Sequence, residues 1–388
     1  MSRAWLLPEH LADVLPAEAR RIESLRRRML DQAASRGFEL VIPPLLEYLE
    51  SLLSGTGREL DLKTFKLVDQ ISGRSLGLRA DTTPQAARID AHLLNRAGVT
   101  RLCYCGPVLH TRPQALHGSR EALQFGAELF GHAGLEADLE IQELAIDALA
   151  DAGVQGLTID LADARVLRGV LAGVPLDGAA LQDVAHALSS KDADALAALS
   201  EPFPPAARQG LAALLRLYGG DDVLVAARAA LPQRPLIAAA LDELAWLANH
   251  LTRAYPAVRI GFDLGDMSGY AYYSGARFAL YGAQSSDALA RGGRYDEIGA
   301  VFGRNRPAVG FSIVDLKELA RQVPGNGHAA AIRAVWSEDA ALRAAVRRLR
   351  ESGESVVWQL PGQGDRGDGA HCDRELVEVA GRWVVKDR

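Results

Sequence analysis

The residues best placed to do chemistry lie between Leu102 and Gly131, in the stretch LCYCGPVLHTRPQALHGSREALQFGAELFG. It reads as two β-strands joined by a long polar loop. Side chains alternate along a strand, so Gln124, Gly126 and Glu128 share one face and Phe125, Ala127 and Leu129 share the other. The apolar set marks the core side. The polar set offers an amide and a carboxylate flanking a glycine, whose missing side chain lets a ligand approach the sheet. Taken alone, the strand fits a half-exposed antiparallel position equally well.

Other stretches offer chemistry that their surroundings withdraw. Gly362-Gln363-Gly364-Asp365-Arg366-Gly367 matches GxGxxG literally. A dinucleotide site needs that run to open a helix inside a βαβ unit, with an acid about 20 residues further on. Here the chain ends first and Asp368-Gly369 prolongs the loop, so a flexible loop is expected. Arg343, Arg347 and Arg350 share a helix face, which a solvated surface explains more simply than a phosphate site. No GxxxxGK[ST] run is present. Asp221-Asp222 leads into Val-Leu-Val-Ala-Ala, not into the small-residue and hydroxyl loop that cradles a phosphoribosyl diphosphate. A zinc site needs about four converging ligands, and His371-Cys372 supplies two. Cys103 and Cys105 are expected on opposite faces of one strand, packed as small apolar residues. No metal or cofactor is expected.

The elements around these residues follow from periodicity and punctuation. Ala17 to Ser35 is an amphipathic helix with Ile22, Leu25 and Met29 on one stripe and Gly37 as the stop. Phe38 to Leu46 is an apolar strand broken by Pro43-Pro44. Proline cannot donate to a ladder, so this strand belongs at a sheet edge or a subunit interface. Thr64 to Asp69 and Ser75 to Arg79 form a hairpin. In RADTTPQAARIDAHLLNRAG, Thr83 is placed as N-cap, Pro84 at the first helical position and Gly98 just past the end. A helix over Glu136 to Ala152 precedes a strand over Leu157 to Leu161. Residues from about 165 to 250 are Ala- and Leu-rich at helical spacing, a helical insertion without a clear strand. Strands return at Arg259 to Leu264 and Arg277 to Tyr281, followed by ARGGRYDE as a loop and a last core segment at Ala308 to Leu319. Beyond the linker QVPGNGH, residues 323–388 read as a small α/β module.

Composition limits the possibilities. At 388 residues with 48% hydrophobic content the chain can fill two domains or three. Net charge is −6, so no global basic surface advertises nucleic acid. No apolar run approaches the roughly 18 residues of a transmembrane helix. The opening MSRAWLLPEHLADVLP sets prolines and acids where a signal peptide needs an unbroken apolar run. A soluble cytoplasmic protein is expected.

Several motifs, in order, resemble the histidyl-tRNA synthetase family of class II synthetases. They are DVLP, GFELVIPPLLE, LRADTTP, RLCYCGPVLHTRPQ, LQFGAELFG, GYAYYSG and RGGRYDE, spread over roughly residues 8 to 320. The run Arg291 to Asp296 matches the GGRYD signature directly. The resemblance implies an α+β fold, a mostly antiparallel sheet flanked by helices, and dimerisation through the Pro44 segment. It also implies a histidine pocket. Asp81 stands where the family has a glutamate for the α-ammonium, and Thr83 matches the neighbouring threonine. Gln124 and Glu128 match the pair that holds the ammonium and the imidazole, and Tyr272 and Tyr273 match the tyrosines beside the ring. Carboxylates suit an ammonium and a donating imidazole, and aromatic walls give the ring a face to pack on.

The same resemblance implies that the activation machinery is dismantled. His110 sits where the motif-2 arginine grips the α-phosphate. The catalytic arginine before the Gly-Leu-Asp-Tyr-Tyr run is Ser268, and that aspartate is Ala271. The motif-3 arginine is Lys317, which keeps charge but loses the planar fork. Residues 323–388 are shorter than the synthetase's anticodon-binding domain. A kept histidine pocket, lost arginines and a truncated C-terminal module resemble the regulatory subunits of ATP phosphoribosyltransferase. That family pairs with the short-form catalytic subunit in the first step of histidine biosynthesis. The expectation is a non-catalytic, histidine-sensing subunit, dimeric within a hetero-oligomer, without tRNA or membrane as partners. The alternatives are an active histidyl-tRNA synthetase and a histidine-binding module for another partner.

Overall fold

The computed structural model describes residues 6–53, 58–113, 118–267, 269–270, 272–323, 331–362 and 372–388. The chain divides into two units, Met1–Pro324 and Gly325–Arg388. In chain order the strands of the first unit are β1 (Glu39–Leu40), β2 (Leu46–Tyr48), β3 (Phe65–Val68), β4 (Ser75–Leu78), β5 (Thr100–Leu109), β6 (Glu121–Phe130), β7 (Thr158–Asp163), β8 (Tyr218–Gly219), β9 (Arg259–Asp263), β10 (Ala276–Tyr281), β11 (Ala290–Arg294) and β12 (Ala308–Ile313). Nine of them form one sheet in the order β1-β5-β6-β12-β11-β10-β7-β9-β8, and β2-β4-β3 form a small antiparallel sheet. Among the described residues only β1 with β5 and β7 with β9 pair in parallel within the large sheet.

The core lies on one face of the large sheet. Phe125, Ala127 and Leu129 of β6 are fully buried there with Ile22, Leu25, Met29 and Ala33 of the helix Pro16–Ser35. That helix presents its apolar stripe at helical spacing and stops where Gly37 turns left-handed at φ 79°. The helix Leu135–Ala152 covers the same face, with Ile141, Leu144, Ala145 and Leu149 wholly enclosed. On the opposite face the helix Thr83–Arg88 packs against β6, so both faces of that strand are buried and Gln124 and Glu128 sit under cover. The half-exposed alternative for this strand is therefore excluded.

Several local expectations need correction. ARGGRYDE is not a loop: Ala290–Arg294 is a central strand, paired on both sides. Its glycines serve close packing, since a Cβ at Gly292 would come within 2.5 Å of the Gly310 carbonyl and 2.7 Å of the Phe278 ring. Cys103 and Cys105 are two residues apart and share one face, opposite Ala127 and Phe125 on the core side. Both thiols are free. The helix begins at Thr83 itself, preceded by Thr82, whose side chain makes no capping bond; it passes into a π-helical turn over Ile89–Leu94 and closes at Asn95 with φ 44°, short of Gly98. The helical insertion contributes one short strand, β8, to the far edge of the sheet. The proline-broken segment splits as its prolines require: β1 is a sheet edge, and β2 joins the small sheet.

The second unit holds β13 (Ala331–Val335), β14 (Val356–Gln359), β15 (Cys372–Val379) and β16 (Arg382–Asp387) in the order β14-β13-β15-β16. The helix Ala340–Glu351 buries Leu342, Ala345 and Val346 against Ile332, Ala334 and Leu376. Asp339 caps it, its carboxylate accepting from the Leu342 amide at 2.6 Å. Gly362 follows β14, while the rest of the GxGxxG run, His371 and most of the linker lie outside the described residues. No helix among the described residues is long and apolar enough to cross a membrane.

Candidate functional site

The site is built on the face of the large sheet away from the core. Across three strands Glu128 of β6 stands opposite Gly310 of β12, which stands opposite Gly293 of β11. In the adjoining row Gly126 faces Ser312, and Ser312 faces Arg291. Glycine at 126, 310 and 293 leaves those three positions of the floor without side chains. A Cβ at Gly310 would collide with the Glu128 carboxylate, and one at Gly126 with the Tyr104 hydroxyl. Such close approach is what a strand glycine permits.

Glu128 is 1% exposed. The Tyr104 hydroxyl donates to its Oε1 at 2.9 Å, and the Tyr295 hydroxyl donates to its Oε2. Burial pushes the carboxyl up to about 8, against the opposing pull of these two donors. It therefore keeps its proton near neutrality. Tyr104 and Tyr295 are raised too, chiefly by burial and next by the Glu128 charge.

Asp81 forms the second polar end. Its Oδ1 accepts from the Gln124 amide nitrogen at 2.8 Å, the Thr83 amide at 3.2 Å and the Thr83 hydroxyl at 3.3 Å. The carboxylate folding back on the amide two residues ahead is the local pattern that Asp favours before a helix. Gln124 is held in turn, its Oε1 accepting from the Thr82 amide at 3.0 Å. Thr83 Oγ1 lies 3.0 Å from the Tyr104 hydroxyl, which links the two acidic ends.

Aromatic rings wall the cavity. Tyr272 stacks on Tyr295 with centroids 5.0 Å apart, and Tyr273 meets Tyr272 edge-on at 5.5 Å. Gly269, with φ 68°, makes the turn that delivers them, and its carbonyl accepts from the Tyr272 amide at 2.8 Å. The Tyr272 hydroxyl is buried without a hydrogen-bond partner among the described residues. Such an orphan costs roughly 1–3 kcal/mol unless something accepts from it or donates to it.

The structure gathers Asp81, Thr83, Glu128, Tyr272 and Tyr273 around one cavity of about 160 Å³. That is below the ~300–1,000 Å³ of sites for drug-sized ligands and suits something of amino-acid size. Gln124 is not part of the lining; it stands behind Asp81 and fixes its rotamer. Tyr295 and Arg291 line the cavity, and sequence reasoning missed both. Their signal lies inside RGGRYDE, whose glycines read as a loop. Arg294 of the same run points elsewhere, forming a buried pair with Asp138 and donating to the carbonyls of His132 at 3.2 Å and Gly134 at 3.1 Å. It anchors the start of the helix Leu135–Ala152.

His110 and Lys317 stand apart from the cavity. His110 is buried with Nε2 2.8 Å from the Ala80 carbonyl, and burial holds its pKa below the usual range. Lys317 donates to the Glu121 carbonyl at 3.0 Å and to its carboxylate at 3.1 Å. Ser268 and Ala271 lie outside the described residues. Among the described residues no group of three or more His, Cys, Asp and Glu side chains is arranged to hold a metal ion.

Residues 10–319 match the family described as histidyl-tRNA synthetase, and residues 329–386 match the ATP phosphoribosyltransferase subunit HisZ C-terminal domain. The chain is 62% identical over 384 residues to the ATP phosphoribosyltransferase regulatory subunit of Variovorax paradoxus (strain S110), covering 99% of each. It is 59% identical over 382 residues to the protein of that name from Albidiferax ferrireducens (strain ATCC BAA-621 / DSM 15236 / T118), covering 98% of this chain and 99% of the relative. Among solved structures, an ATP phosphoribosyltransferase regulatory subunit/histidyl-tRNA synthetase from Bacillus halodurans C superposes with a TM-score of 0.82 at 28% identity, over 96% of this chain and 99% of that one. Histidyl-tRNA synthetase from Nostoc sp. PCC 7120 gives a TM-score of 0.79 at 18% identity, over 100% and 97% of the two chains, a likeness of fold alone. The large sheet and its flanking helices are thus the histidyl-tRNA synthetase-like class II fold.

Proposed function

Because the chain belongs to the ATP phosphoribosyltransferase regulatory subunits, we propose that it senses histidine for a separate catalytic subunit and performs no chemistry itself. The observation that carries this reading is the cavity's pairing of a buried Glu128 carboxyl with the orphaned Tyr272 hydroxyl, opposite an Asp81 held ready for an ammonium. An imidazole satisfies the first two at once, one nitrogen at each, while its ring packs on the tyrosine wall. The α-ammonium goes to Asp81, whose Oδ1 bonds leave Oδ2 for a ligand donor, and to the Thr83 hydroxyl.

Catalysis falls to the partner, a short-form ATP phosphoribosyltransferase, in the cytoplasm. An arginine stabilising phosphoryl charge is worth about 10³ in rate or more. His110 and Lys317 are engaged within the protein where the family's arginines would reach a nucleotide, and Ser268 carries no charge. Self-association is assigned to the Pro44 segment. Exposed apolar side chains there and on the adjoining small sheet support this, with Ile42 81% and Ile71 96% exposed.

Feedback requires that histidine prefer one arrangement of the assembly, because equal affinity for two states shifts nothing. Turning a 1:99 balance into 99:1 takes a preference of about 10⁴. The test is histidine inhibition of the reconstituted complex. Glu128→Ala should weaken histidine binding and relieve inhibition while the assembly stays intact. Undiminished inhibition in that variant would sink the proposal.

A further inference from the structure

Among the described residues Arg291 is the one cation that lines the cavity, whose lining also holds two acidic side chains, Asp81 and Glu128. We infer that Arg291 receives the α-carboxylate of the bound amino acid and sets the pocket's preference for a whole amino acid over its decarboxylated amine. The inference rests on the histidine-site reading above and extends it to a residue that reading does not use.

Strand register carries the geometry. Glu128 lies on β6, Arg291 on β11, and β12 runs between them. Two strand spacings of about 4.8 Å set their columns about 10 Å apart. The intervening floor is Gly310, Gly126 and Gly293, with Ser312 between Gly126 and Arg291 in the near row. A ligand held by its ring at Glu128 therefore extends toward Arg291 over the backbone of Gly310 and Gly293, with the small Ser312 side chain beside it. An arginine is long enough to meet it partway.

The guanidinium has donors to give. Its contact with Asp266 is slack, Nη1 standing 3.8 Å from Oδ2, whereas Arg277 closes on the same oxygen. Arg277 is only 6% exposed at its side chain, Arg291 40%. A planar fork with five N–H donors, one loose ion pair and a bond to the Tyr281 hydroxyl keeps donors for bidentate capture of a carboxylate. Charge balance points the same way. Two acids alone would favour an imidazole-bearing amine, and a cation at the far end restores the match to a zwitterion.

The experiment titrates the full-length chain with L-histidine and with histamine by calorimetry, for the wild type, Arg291→Ala and Arg291→Gln. The wild type should prefer histidine. Both variants should lose about 10- to 100-fold in histidine affinity, the range for a hydrogen bond to a charged group, and keep histamine affinity within about twofold. Unchanged histidine affinity in both variants overturns the assignment, as does an equal loss for the two ligands. A wild type that binds neither ligand overturns the histidine-site reading itself, a result distinct from either of those.

Discussion

Lowering the pH from 7.2 to 5.5 should weaken histidine binding and make it release a proton. In the ligand-free protein burial lifts Glu128 from 4.5 to about 8, so at pH 7.2 the carboxyl holds its proton. A free imidazole titrates near 6.5 and is mostly neutral at that pH. The two groups together then carry one proton, which on binding lies between a carboxyl oxygen and a ring nitrogen. Nothing is exchanged with the buffer. Below 6.5 both are protonated, two protons meet where the contact accommodates one, and one must leave. Affinity then falls up to tenfold per pH unit, so at 5.5 the loss should approach one power of ten, about 1.4 kcal/mol. Calorimetry in two buffers of different ionisation enthalpy counts the protons, with close to none exchanged at 7.2 and close to one released at 5.5. A carboxylate ionised throughout would behave in the opposite way, pairing better with imidazolium. Affinity that holds or rises at 5.5 without proton release would refute the buried, protonated Glu128.

Other outcomes follow from the same geometry. Tyr272→Phe removes a hydroxyl that has no hydrogen-bond partner among the described residues. Denaturant unfolding should show stability unchanged or raised by up to about 1 kcal/mol, while calorimetry shows histidine affinity down roughly 2- to 10-fold, the worth of one hydrogen bond. Arg294→Ala strands the buried Asp138 carboxylate. It should cost about 3–5 kcal/mol in chemical denaturation, and adding Asp138→Ala should recover part of that loss.

What could be read along the chain depended on range. Alternation alone placed Glu128 and Gln124 on one face and Phe125 and Ala127 on the other, because a strand's period is a local property. It could not say that Gln124 spends its amide on Asp81, 43 positions away, or that Tyr295 reaches Glu128 from 167 positions away. Asp81 and Thr83 entered only through resemblance, since nothing in LRADTTP announces a pocket. The glycines of RGGRYDE read as loop because a strand interior normally avoids them. Their use here, bringing β10, β11 and β12 close enough to bare the floor, is tertiary. The two cysteines were misplaced for a simpler reason: residues two apart on a strand share a face.

On the proposed reading the cavity admits an imidazole-bearing amino acid and does not hold a nucleotide. Calorimetric titration of the purified chain with L-histidine, and separately with magnesium ATP, tests it most directly. Saturable heat with one histidine per chain and none with ATP is the predicted result. Saturation by ATP with no response to histidine would contradict it.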